Sequence, residues 1–288
     1  MTKPLHPIFP VIALICAATF WGVSWYPLRL LDSMGVHGVW TVLVVFSGSF
    51  VLGTILLRPR WGDLTRYPVL MLLLAVGSAI TNLGFILALL NGEVMRVLLL
   101  FYLSPVWTVI LGALLLDEPI TAQSIRTITL AMAGALVMLW DVETGLPLPR
   151  TEADWLALGA GVGFALTNVM ARKGRAIHLH SKSIAIWGGA AVAALIWIVI
   201  MGLPMPSISA TAWSILLGVG SLVLILATLA VIYGVSQMPV QRSAVILLFE
   251  LVVGALSAYL LAGEVMRAAE WVGGTLIVIA SLSASRVK

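Results

Sequence analysis

The sequence is poor in charge. Only 10% of its 288 residues are Asp, Glu, Lys or Arg, where a soluble domain carries roughly a quarter, so most of its surface cannot face water. Cysteine is almost absent as well: Cys16 stands alone, which excludes an internal disulfide and says nothing of redox compartment. There is no Gly-x-x-x-x-Gly-Lys phosphate loop, no His-Glu-x-x-His pair and no Gly-x-Ser-x-Gly elbow, which argues against ATP, a catalytic zinc or a serine nucleophile. The four histidines, His6, His37, His178 and His180, fall near the ends of apolar segments. No enzyme activity, cofactor or metal is expected.

What is present is apolar: 61% hydrophobic residues and a mean hydropathy of +1.11. A bilayer core about 30 Å thick needs roughly 20 such residues per helix. Windows of that kind run 8–27, 36–57, 68–90, 94–116, 123–140, 155–171, 184–203, 210–235, 239–262 and 268–285. None alternates with a period of two, which excludes a barrel of short amphipathic strands. The expected fold class is therefore an all-α membrane protein of ten transmembrane helices. The basic start "MTKPLHPIFP" leads into an apolar run too long for a secretory signal, and is expected to remain as the first helix.

A pI near 9.5 could suggest nucleic acid, but the cations sort by side. With alternating helices, twelve of the sixteen Lys and Arg residues (3, 58, 60, 66, 126, 172, 173, 175, 182, 242, 286 and 288) share the side of the N-terminus. Lys and Arg concentrate in cytoplasmic loops. Both termini are thus expected in the cytoplasm, with the lipid bilayer as partner and no nucleic acid.

The chain also resembles itself. A shift of 146 residues lays "RVLLLFYLSPVWTVILGALLLDE" (Arg96 to Glu118) over "RSAVILLFELVVGALSAYLLAGE" (Arg242 to Glu264), and a shift of 144 lays "TFWGVSWYPLR" (Thr19 to Arg29) over "GFALTNVMARK" (Gly163 to Lys173). Two repeats are expected, residues 1–143 and 144–288. Five helices each is an odd number, so the second copy enters from the opposite face, and inverted halves can open a central site to either side in turn.

In "TFWGVSWYP", "YLSPVWTVILGALLLDEPIT" and "LLFELVVGALSAYLLAGE" the chain resembles the EamA family of the drug/metabolite transporter superfamily, and the similarity spans its whole length. Within it, the chain is most similar to YddG-type exporters of aromatic amino acids. That resemblance implies a central cavity lined by helices 1, 3, 4, 6, 8 and 9, and helices 5 and 10 bracing the outside with a homodimer contact. It implies export of small amino-acid-like solutes, aromatic or otherwise hydrophobic, across the inner (plasma) membrane. A passive channel, or a carrier for another substrate class, is the competing reading. Pro105 aligns with Leu251, and Ser104 with Glu250, so the two half-sites differ chemically.

Glu250 lies near the middle of its span, where a carboxylate usually marks a pathway or a partner. It suits a counter-charge for a substrate ammonium, a proton carrier, or a paired structural acid. Ser78, Asn82 and Phe85 share one stripe of the third helix, and Ser24 and Asn168 lie in the first and sixth. The amides Asn82 and Asn168 either hold helices together or meet solute. Trp21 and Trp107 sit deep in their spans, and with Phe85 and Tyr102 they offer a stacking surface or ordinary packing. Glu118 and Glu264 close the paired helices at opposite faces, as gate contacts, caps or solvated charge.

Overall fold

The computed structural model describes residues 8–140, 148–263 and 265–286. Among these residues every regular element is a helix. Nine segments are long and apolar enough to cross a bilayer: 8–27, 38–57, 68–91, 96–116, 122–139, 152–173, 179–201, 210–237 and 240–262. A tenth, Ala268–Ala284, is a shorter apolar helix. Large apolar side chains remain outside, such as Leu114, Val199 and Leu260 at 71%, 71% and 74% exposure, the surface a multi-pass protein offers to acyl chains.

The helices in chain order are α1 (Ile8–Val23), α2 (Trp25–Ser33), α3 (Gly38–Leu57), the short connector α4 (Gly62–Arg66), α5 (Pro68–Asn91), α6 (Val94–Phe101), α7 (Ser104–Leu116), α8 (Ala122–Leu139), α9 (Glu152–Lys173), α10 (Leu179–Met201), α11 (Ala210–Ile215), α12 (Ser221–Gln237), α13 (Val240–Leu247), α14 (Phe249–Ala262) and α15 (Ala268–Arg286). A single π-turn, Leu216–Gly220, joins α11 to α12.

Three spans expected to be continuous are broken: the first at Ser24, the fourth at Tyr102 and Leu103, the ninth at Leu248. For the fourth the cause is Pro105, which has no N–H to give to the Phe101 carbonyl and whose ring crowds the preceding turn. Proline lies within the first turn of α7, where the helix restarts without loss. The ninth span breaks without proline. There the Leu251 amide bonds to Leu248 O at 3.1 Å, a tightened i−3 turn in place of the usual i−4 bond.

The seventh helix begins at Leu179, five residues before the expected 184. Lys182, which falls outside the expected span, is inside α10 and 1% exposed. Its ammonium donates to Ala171 O at 3.0 Å and Ser236 Oγ at 2.7 Å, and those bonds let it enter the bundle.

Packing sorts the long helices into two groups. The α9 helix packs against α5, α6 and α7, with α10 on α5; α1 packs against α12, α13 and α14, with α3 on α12. The α10–α3 and α8–α15 pairs join the groups. Along α8–α15 the backbones come close at Gly134, where a Cβ would lie 2.7 Å from Gly273 O, as small residues permit in membrane packing. Polar bonds supplement the close approaches: Ser49 donates to Ser221 O at 3.0 Å, and Trp187 Nε1 to Thr228 Oγ1 at 3.1 Å.

Candidate functional site

The broken helices build the site. α6 and α13 end, and α7 and α14 begin, at one level of the bundle. Around that level Phe101, Tyr102, Ser104, Pro105, Thr108, Phe164, Ala244, Leu247, Leu248 and Glu250 line a cavity. Its free space is about 10 Å³, roughly one water molecule, so any solute larger than that requires the lining to part.

One wall is aromatic. The Phe101 ring lies 4.7 Å from Phe85, 5.3 Å from Tyr102 and 5.7 Å from Phe164, all edge-on or tilted, the arrangements ring quadrupoles favour. The lining also carries a carboxyl: Glu250 stands in the first turn of α14, where the helix's positive end stabilises an anion. The Tyr102 phenol and the Glu250 carboxyl interact side chain to side chain. Below them Thr108 Oγ1 donates to Ser104 O at 2.9 Å, and both residues are buried.

A close seam holds Glu250 in place. A Cβ on Gly22 would lie 2.6 Å from Glu250 O and 2.7 Å from Val253 Cβ, so only glycine lets α1 approach α14 this closely. The seam continues through Trp25 Nε1, which donates to Ser257 Oγ at 2.8 Å, and Ser257 Oγ, which donates to Gly22 O at 3.2 Å.

At the end of α7 a polar network joins four helices. Asp117 closes that helix in the left-handed region, at φ 54°. The Glu118 carboxylate then accepts from Arg172 Nε at 3.2 Å and from the Val240 amide, at the head of α13, at 3.0 Å. Arg172 Nη1 donates on to Ser236 O at 2.9 Å, and Gln241 Nε2 to Pro119 O at 3.2 Å. This network ties the ends of α7, α9, α12 and α13, and α7 and α13 pack together. Their other halves, α6 and α14, make no comparable contact among the described residues.

Of the residues singled out from sequence, Tyr102 and Glu250 line the cavity and Phe85 backs it through Phe101. Glu118 is in the network at the end of α7; Glu264 lies outside the described residues. The rest are not in the cavity lining. Trp21 is half-buried edge-on to Phe20 at 5.1 Å, and Ser24 donates to Trp21 O at 2.7 Å within the break of the first span. Asn82 spends its amide on Ser78, donating to its carbonyl at 2.9 Å and its hydroxyl at 3.2 Å. Asn168 is 3% exposed within α9, and the Trp107 indole N–H is buried without a partner. Sequence reasoning missed Phe101, Ser104, Thr108, Phe164 and Leu247; the hydroxyls one helical turn apart around Pro105 were a usable signal, the apolar ones were not.

The EamA-like transporter family model matches the chain twice, over residues 8–140 and 151–286. The chain belongs to the EamA-like transporter family. An uncharacterized transporter of Archaeoglobus fulgidus is 25% identical over 249 residues, 85% of this chain and 86% of that protein. Protein RarD of Salmonella typhi is 24% identical over 169 residues, and the same-named protein of Escherichia coli K12 likewise. The match covers 57% of this chain and 55% and 54% of those two proteins, so it spans about half the length of these relatives. One solved crystal structure superposes with a TM-score of 0.74 at 17% identity, covering 96% of both chains, a likeness of fold. The chain is thus a multi-pass membrane protein of a transporter family.

Proposed function

We propose that this EamA-like protein is a secondary carrier that exports small aromatic, amino-acid-like solutes across the plasma membrane by alternating access, with both termini in the cytoplasm. The carrying observation is Glu250: a carboxyl in the central cavity, at the junction of two broken helices, facing an aromatic wall. Discontinuous helices that meet at mid-membrane are the usual makings of a transporter site. The breaks at Tyr102 and Leu248 lie 146 residues apart, the same offset that relates the two halves in sequence, which supports inverted repeats over 1–143 and 144–288. Packing of α7 on α13 without equivalent packing of α6 on α14 fits a carrier closed at the Glu118 face. Export, rather than uptake, follows the resemblance to exporters.

The test is efflux from loaded proteoliposomes, with and without a pH gradient, comparing aromatic with aliphatic amino acids. Saturable flux with counterflow, lost in Glu250→Gln while folded protein stays in the membrane, is the expected result. Ion currents of high unitary rate, or unchanged flux with glutamine at 250, would reject the reading.

A further inference from the structure

We infer that this cavity recognises its solute through an ammonium group and not through a carboxylate, so that its preferred ligands are small aromatic primary amines rather than zwitterionic amino acids. The inference rests on the carrier reading above and narrows the substrate class of that same site.

The charge of the lining decides the matter. Glu250 is the one carboxyl among the ten lining residues, and no Lys, Arg or His is among them. Arg242, two residues before Ala244 on α13, is outside the lining and has an interaction of its own, and other nearby cations are engaged elsewhere: Arg96 on Asp154 at 2.9 Å, Arg172 on Glu118 at 3.2 Å, and Lys182 on Ala171 O and Ser236 Oγ. A bound ammonium would neutralise Glu250. A zwitterion would bring a second carboxylate into the same confined space with no cation to pair it, against both desolvation and like-charge repulsion.

Helix ends could replace a missing cation, since helix N-termini bind anions. At the start of α7 most of these donors are committed or missing. Pro105 has no amide, the Val106 and Trp107 amides bond to Leu103 O at 2.9 and 3.4 Å, and the Leu251 amide to Leu248 O at 3.1 Å. The first turn of α14 already holds Glu250. Acceptors are also present: the Thr108 hydroxyl oxygen, whose proton is given to Ser104 O, and the Ser104 hydroxyl oxygen. The C-terminal ends of α6 and α13 also converge here, and they carry partial negative charge. The rings of Phe101, Tyr102 and Phe164 complete a surface suited to an aromatic cation.

The test uses the full chain in detergent micelles and three probes that share one phenyl ring: phenethylamine, phenylalanine and phenylacetate. Affinities are measured by calorimetric titration at neutral pH. The expected result is phenethylamine binding at least tenfold more tightly than phenylalanine, with phenylacetate not binding. Glu250→Gln should lower phenethylamine affinity at least tenfold with an unchanged elution profile and melting temperature, and Glu250→Asp should retain most of it. The comparison among probes on the unaltered chain does not depend on any variant folding. Equal or tighter binding of phenylalanine, binding of phenylacetate, or no binding of phenethylamine overturns the inference. Saturable exchange of phenylalanine in proteoliposomes together with absent amine binding would leave the carrier reading standing and remove this one. Absence of exchange for every solute, with amine binding intact, would do the reverse.

Discussion

The Glu118 network makes the sharpest mechanical prediction. Its carboxylate serves two donors on different helices, Arg172 Nε at 3.2 Å and the Val240 amide at 3.0 Å, and the two side chains are only 15% and 16% exposed. Glu118→Gln keeps the shape but leaves a single acceptor oxygen without charge, so one charge-assisted bond is lost. Such bonds contribute about 1.5–3 kcal/mol each. Under the proposed alternating access, a loss of about 2 kcal/mol from the closed form shifts its balance with the open form by roughly 30-fold, at about 1.4 kcal/mol per factor of ten. The readout is a single cysteine at Ala244, which lines the cavity on α13, placed in a background with the exposed Cys16 replaced by alanine. Labelling by an impermeant maleimide from the Glu118 face tracks the minor open population. The rate should rise roughly 30-fold in Glu118→Gln. A rate within about twofold of the parent, in folded protein, would show that this contact does not hold the face shut.

Three further outcomes follow from packing. Gly22→Val should lower the melting temperature and impair transport, because a side chain there meets the Glu250 carbonyl at 2.6 Å and overpacking costs about 1–3 kcal/mol; normal stability would contradict the seam. Asp154 accepts from Arg96 Nε through both oxygens at 2.9 Å and from the Arg150 and Thr151 amides at 2.8 and 3.1 Å, so Asp154→Asn should destabilise by about 3–5 kcal/mol, and adding Arg96→Met should recover part of it. Lys182→Met should leave the melting temperature unchanged or higher, since Ser236 Oγ still donates to Ala171 O at 3.1 Å and a buried cation without a carboxylate partner is removed; a fall of more than about 4 °C, roughly 1 kcal/mol or more, would mean the ammonium is structurally required.

The positions of the helices were legible because a bilayer demands long apolar runs, and a run of twenty such residues has few other readings. Glu250 was legible for the converse reason, a carboxylate in a stretch that otherwise offers nothing to hydrate it. The apolar lining was not. Phe101, Phe164 and Leu247 look like any other residue of an apolar helix, and only the neighbouring helix decides whether such a side chain meets lipid, core or cavity. Lys182 misled for a related reason: a cation reads as a loop residue unless the carbonyl and hydroxyl that receive it, from α9 and α12, are known. Pro105 was a local signal for the break in the fourth span, which was nevertheless expected to be continuous, whereas Leu248 carries no local signal.

That last difference bears on mechanism. The two breaks occupy equivalent positions, yet one follows from a missing amide and the other does not, so tertiary packing must impose the second. The Gly22 seam is the evident agent, since it presses α1 against the Glu250 carbonyl at the first turn of α14. A break held by packing can straighten when the packing changes; a break caused by proline persists. Under the inverted-repeat reading the two halves exchange conformations, but they do not exchange chemistry, and the carboxylate stays with the half whose break depends on α1. Opening the Glu118 face should therefore alter the geometry around Glu250 more than that around Ser104, which couples release of the solute's charged end to movement of α1. Distances from a spin label at Ser24 to one at Val253 should change between the two states, whereas a pair at Phe85 and Trp107 should change little.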